Sequence, residues 1–238
     1  MQKSVIFANK ILFTYVHELM MLSRNSFFLF FFCILFCSSC QRVEKNYYPD
    51  GILESEIPYK NGKIDGVARW YYLSERVSLE INYKEGLKEG VMLRFSRSGK
   101  RESVENYKND SLHGVSLKYN EEGILVSETL YENGKKNGET KQYFNDGTLF
   151  VTGFYKDDLY DGKWTYFDMD GFVVGEGNFV KGNGILIGYN ERENITRKVY
   201  YENNIIVKEE IYSADGQNIE KTLLYQNGRI TDIQLNEK

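Results

Sequence analysis

The sequence predicts an all-β fold, an elongated single-layer antiparallel meander of tandem 24-residue β-hairpin repeats behind an N-terminal hydrophobic segment. Three observations predict it. Gly66, Gly90, Gly114, Gly138 and Gly162 stand at one constant interval, with no insertion or deletion between them. Tyr59, Tyr83, Tyr107, Tyr131 and Tyr155 keep the same interval with Phe179 after them, and so do Tyr71, Phe95, Tyr119, Tyr143 and Phe167. Between these columns apolar residues alternate with polar ones on either side of a glycine turn. Such a period marks small supersecondary units that bury their faces only by stacking on neighbours.

Taken in chain order, residues 1–20 carry no targeting feature and read as a misassigned start or a disordered leader, with translation expected from Met20 or Met21. Residues 21–39 have the layout of a secretory signal: Arg24, the apolar run Phe27 to Phe36, then the small residues Ser38 and Ser39. That run is too short to cross roughly 30 Å of hydrocarbon as a stable helix. Residues 40–46 read as a linker.

Residues 47–184 form the regular repeats, and positions within a unit can be counted from its boundary Gly. Offset one gives Val67, Val91 and Val115, offset three Leu93 and Leu117, and offset five the second aromatic column. A strand places alternate side chains on one face, so offsets one, three and five are expected to share an apolar face, with Arg94, Lys118 and Gln142 at offset four on the other. Gly99, Gly123, Gly147 and Gly171 at offset nine mark a tight turn, where positive φ is required. Alternation resumes at Leu125 and Leu149 and runs to the Tyr column, with Glu80, Glu128 and Glu176 facing solvent. The stretch "YENGKKNG", 131–138, then closes one hairpin and opens the next.

The register breaks once. Phe179 to Tyr201 and Gly162 to Gly184 are both 22 residues, two short of the period. Residues 185–230 are accordingly expected to be degenerate units capping the array, and 231–238 a tail. At the other end Pro49 and Pro58 are expected to discourage edge-to-edge association.

The composition excludes several function classes. A net charge of −4 offers no clustered basic surface for nucleic acid. Cys33, Cys37 and Cys40 all lie near the N-terminus, leaving the repeats without a thiol for disulfides, thiolate metal sites or nucleophilic catalysis. The one histidine of the repeats, His113, aligns with Asp65, Glu89, Asn137 and Asp161, all polar turn residues. Carboxylates recur at repeat offsets on the solvated face, and the glycines are hairpin punctuation, not a phosphate loop. No catalytic residue, metal site or cofactor is expected, and the chain reads as no enzyme.

Two resemblances add to this reading. The Ser38-Ser39-Cys40 ending after an apolar run resembles the lipobox of bacterial lipoproteins. It implies lipid attachment at Cys40 and an exported, membrane-anchored protein on the periplasmic or cell-surface side of the envelope. Over about residues 47 to 230, the pattern G-x-x-x-x-Y/F-x-x-x-G followed by Y-x-N-G-K-x-x-G resembles the MORN-repeat variant proteins, commonly labelled antitoxin components of toxin–antitoxin modules. It is clearest at 115–138 and 139–162. The resemblance implies hairpin arrays used to bind membranes or proteins.

Aromatics also interrupt the otherwise polar face: Trp70 and Tyr72 in one unit, Phe144, Phe150 and Phe154 in another, Trp164 and Tyr166 in the next. Such side chains are enriched where proteins are gripped. Phe144, Phe150, Phe154, Trp164 and Tyr166 are therefore the expected partner-binding residues, with cover for the sheet as the competing role. The expected function is that of a non-enzymatic, lipid-anchored envelope protein serving as a protein-binding or scaffold module. The alternative is an antitoxin or immunity-type protein that captures one specific toxin partner.

Overall fold

Gly-bearing turns at a fixed period leave each strand only its chain neighbours to pair with, and the structure follows that logic. A computed structural model, which describes residues 41–236, shows one antiparallel sheet of nineteen strands running from Gln41–Tyr47 to Arg229–Leu235. Lys63–Ile64 and Ser111–Leu112 are two-residue stubs of the strands that follow them, so seventeen strands traverse the sheet. The all-β meander expected from the columns is borne out. The leader at 1–20, the signal segment at 21–39 and Cys40 lie outside the described residues.

The expected face assignment is corrected in the first half of each unit. Ala68 stands opposite Ile81 and Trp70 opposite Leu79, so offsets two and four, not one, three and five, share the face of the Tyr59–Tyr155 column. The turn pairs even with odd positions, and alternation therefore changes phase across it. At offset two Ala68, Met92, Ser116, Thr140 and Trp164 are all buried. The offset-five column faces away: Tyr71 donates to Glu56 Oε2 at 2.9 Å on the side of the Lys45–Glu56 and Arg69–Glu80 ion pairs, both 2.7 Å.

Every regular unit also carries a bulge at offset twelve, where Glu54, Ser78, Glu102, Val126, Phe150 and Val174 are skipped in the pairing. A second irregularity holds the boundary Gly, as between the pairs Ile81↔Met92 and Tyr83↔Lys88. Bulges bend and twist a strand pair. The two residues missing before Gly184 are those of this boundary bulge: Gly175–Val180 pair with Asn183–Gly188 without a shift.

Past residue 150 the sheet curls over its core face. Val151, Tyr155, Trp164, Phe179, Leu186 and Val199 form one buried cluster, with Tyr160, Tyr201 and Ile206 packed against it. Strand glycines make room, because a Cβ at Gly153 would overlap the Trp164 ring and one at Gly177 would meet Phe179 and the Ile185 carbonyl. The curl brings Asn204 to a turn two units back, where it accepts from Tyr160 N at 2.8 Å and donates to the Asp158 carbonyl at 2.9 Å.

Both ends differ from expectation. Residues 41–46 are not a linker but most of the first strand, pairing with Leu53–Lys60. Arg42, Glu44 and Lys45 therefore protect that edge, while Pro58 lies one strand inside it, opposite Val43. Most of the expected tail belongs to the last strand, Arg229–Leu235.

Candidate recognition surface

Two rows of turns border the sheet. In the boundary row the residue before four of the glycines reaches the next turn: Asp65 accepts from Glu85 N at 3.1 Å, Glu89 from Asn109 N at 2.9 Å, Asp161 from Lys181 N at 3.2 Å and Asn183 from Asn203 N at 3.2 Å, while Asn137 donates instead to Glu132 in its own turn. These links tie unit to unit. His113 occupies the same column, and its Nδ1 is buried without a partner among the described residues. On the charged face, Asn82 and Asn106 donate to the Val91 and Val115 carbonyls, both at 2.6 Å. Leu130 and Phe154 replace this asparagine in the next two units.

The structure separates the five expected partner-binding residues. Trp164 is 3% exposed, edge-to-face with Tyr155 at 5.1 Å and Tyr160 at 4.6 Å, and its Nε1 donates to the Phe154 carbonyl. It is core, and the expectation that it meets a partner is withdrawn. Tyr166 lies opposite Val151 on the same core face, and burial pushes its phenol well above the ordinary range. Phe144, Phe150 and Tyr166 form a half-buried string, with ring centroids 5.0 and 6.0 Å apart. Phe150 is the skipped residue of its bulge, a place where side chains are re-aimed. Phe154 points away from all of these, opposite Glu139 and Asp161, and is 41% exposed.

The string ends at a feature the sequence reading missed. The turn after Phe167 exposes Met169 at 64%, Phe172 at 71% and, at the start of the following strand, Val173. This turn is ordered by Asp168, whose Oδ1 accepts from Asp170 N at 3.0 Å and Phe172 N at 2.9 Å. Phe172 occupies offset ten. In three earlier units the side chain at that offset lies over the next unit's turn glycine, Arg76 on Gly99, Lys100 on Gly123 and Ile124 on Gly147, whereas the short Thr148 leaves Gly171 open. The turn that follows Phe172 has Glu193 at that place, at φ +61°. That column held the signal.

The arrangement offers an ordered turn, three exposed apolar side chains and a rim of Asp168, Asp170 and, one turn on, Glu191 and Glu193. Among the described residues no group of three or more His, Cys, Asp or Glu side chains is placed to hold a metal ion.

With this geometry in view, comparison with known families finds four segments similar to the MORN repeat variant: residues 43–61, 88–109, 112–133 and 136–157. Three of these begin two residues before a boundary Gly and keep the 24-residue period. Residues 62–87 and those beyond 157, the curled core and the Phe172 turn included, lie outside the matches. No curated protein matches the chain.

Proposed function

We propose that the chain is a repeat-built protein-binding module whose turn at Met169, Phe172 and Val173 grips an apolar segment with basic flanks on a protein partner. Phe172 carries the reading: an aromatic 71% exposed on a turn whose backbone is held by Asp168. Exposed aromatics on rigid supports supply most of the energy of small interfaces. The MORN repeat variant segments support a binding or scaffold role in general. Anchoring through lipid on Cys40 completes the reading. It rests on the apolar run and the Ser38-Ser39-Cys40 ending; the described chain is already in strand at Gln41, so a lipid on Cys40 would keep the array close to the membrane.

The test compares cross-linked co-purification from cells making the tagged full chain or its Met169→Ser, Phe172→Ser double variant. The variant is expected to keep the unfolding midpoint and lose the partner, and wild-type capture to weaken with salt. Retention of every partner by the variant refutes the site. One stoichiometric partner would favour the antitoxin or immunity-type reading; several envelope proteins would favour a scaffold. Cys40→Ala is expected to abolish lipid labelling and membrane retention, and unchanged labelling refutes the anchor.

A further inference from the structure

Among the described residues Arg229–Leu235 is the last strand of the sheet and pairs only with Ile219–Gln226, and every one of its residues is exposed. Natural sheets blunt such edges with charge, proline or bulges. The Gln41–Tyr47 edge has three charged residues, whereas Arg229–Leu235 has only Arg229 and Asp232. Ile230, Ile233 and Leu235 are 50, 52 and 74% exposed. Ile233 stands opposite Leu223, itself 7% exposed, so the buried face runs outward to this edge and stops uncovered.

We propose that a second copy of this chain covers it, the two Arg229–Leu235 strands pairing antiparallel about a two-fold axis. Direction favours this arrangement over end-to-end stacking. Seventeen traversing strands alternate in direction, so the first and last run the same way. Copies joined last strand to first with their core faces aligned would pair in parallel, against the charged edge. A two-fold axis normal to the sheet keeps the core faces aligned and makes the junction antiparallel, as everywhere else in the array.

Side chains select the register. A junction centred on Asp232 sets two carboxylates against each other, which destabilises a cross-strand pair. Centring on Ile233 sets Ile233 against its equivalent, Leu235 against Thr231 and Asp232 against Gln234, with no like charges opposed. The core-face row Thr231, Ile233 and Leu235 then lies against its own copy. Two strands of seven residues bury less than a standard interface, so the dimer should dissociate on dilution.

Opposed Cβ positions in an antiparallel pair fall within disulfide reach. The full chain with Ile233→Cys should therefore form an oxidised dimer of twice the monomer mass, beyond anything the unsubstituted chain forms through Cys33, Cys37 and Cys40. Thr231→Cys, opposed by Leu235, should add none. Sedimentation of the detergent-solubilised full chain over a roughly hundredfold concentration range should shift from monomer to dimer, and Ile233→Lys should abolish the shift while leaving the circular dichroism unchanged. A monomer throughout, a dimer untouched by Ile233→Lys, or cross-linking through Thr231→Cys in place of Ile233→Cys overturns the proposal. Met169 and Phe172 are intact in all these variants, so the outcome is independent of partner capture at that turn.

Discussion

His113→Asp should stabilise the protein, although histidine is the residue that sequence inspection would first suspect of chemistry. Four equivalents of His113 accept a backbone N–H one turn onward in the ladder, from Glu85, Asn109, Lys181 and Asn203, all at φ near +50°. Asn133, at φ +51°, is the corresponding residue ahead of His113. Aspartate there removes a buried polar nitrogen with no partner among the described residues, a defect costing about 1–3 kcal/mol, and adds a charge-assisted hydrogen bond. Partial exposure of the turn discounts both contributions, leaving a gain of about 1 kcal/mol. For an array of this size that raises the thermal midpoint by roughly 2–4 °C. Thermal and urea unfolding followed by circular dichroism measure the gain, and hydrogen exchange at the Asn133 amide should slow. A lowered midpoint, or unchanged exchange at Asn133, would refute the connector account. Loss of partner capture in a stably folded His113→Asp protein would show that the histidine has a function of its own.

Three further outcomes follow from packing and charge. Trp164→Ser should cost about 3–5 kcal/mol in urea unfolding, as truncation of a buried aromatic does, against a near-silent Phe172→Ser. Gly153→Ala should cost about 1–3 kcal/mol, because its methyl overlaps the Trp164 ring; an unchanged midpoint would show that Trp164 moves freely. Hydrogen bonds from Lys45 and then Tyr71 hold the Glu56 carboxyl below its usual range. A depressed carboxylate stabilises above its unfolded pKa and loses that contribution as pH falls through the folded value. The urea midpoint should therefore drop below about pH 4, and Glu56→Gln should shrink the drop by under about 1 kcal/mol, since the pair is solvated.

The array was legible because two of its requirements are met by one residue type each time: Gly at the boundary, where Gly138 adopts φ +126°, and an aromatic at the packing columns. The buried face was not, for a physical reason. Its offset-two column reads Ala68, Met92, Ser116, Thr140 and Trp164, residues that share burial and nothing else. A search for chemical likeness passes over such a column, so the sequence leaves Trp164 between partner binding and cover for the sheet, and the structure makes it the largest member of the core line. Phe172 was missed from the opposite direction. The turn reading stops at Gly171, while the information lies in which side chains rest on the next unit's glycine in the units of Arg76, Lys100 and Ile124. The N-terminal strand was hidden by its polarity, since an edge strand needs charge where an inner strand needs apolar residues.

The shortened unit at 185 gives the proposed recognition turn its rigid support. Elsewhere each boundary bulge adds twist and keeps the units in an open ribbon, whereas Val173–Val180 and Asn183–Tyr189 pair without a shift through the turn at Lys181 and Gly182. Gly177 and Gly184 then let Phe179 lie close over the backbone, where it meets Tyr160 at 5.3 Å and Tyr201 at 5.5 Å. This is the one region of the described chain where rings from several units interlock. The Phe172 turn joins the strand of Trp164 to the strand of Phe179, so both of its ends are fixed in that cluster. A single-layer sheet is otherwise a poor platform, because an exposed side chain on a flexible support loses binding energy to ordering. Here the turn is ordered before any partner arrives, and the same curl that buries Trp164 holds Phe172 out for contact.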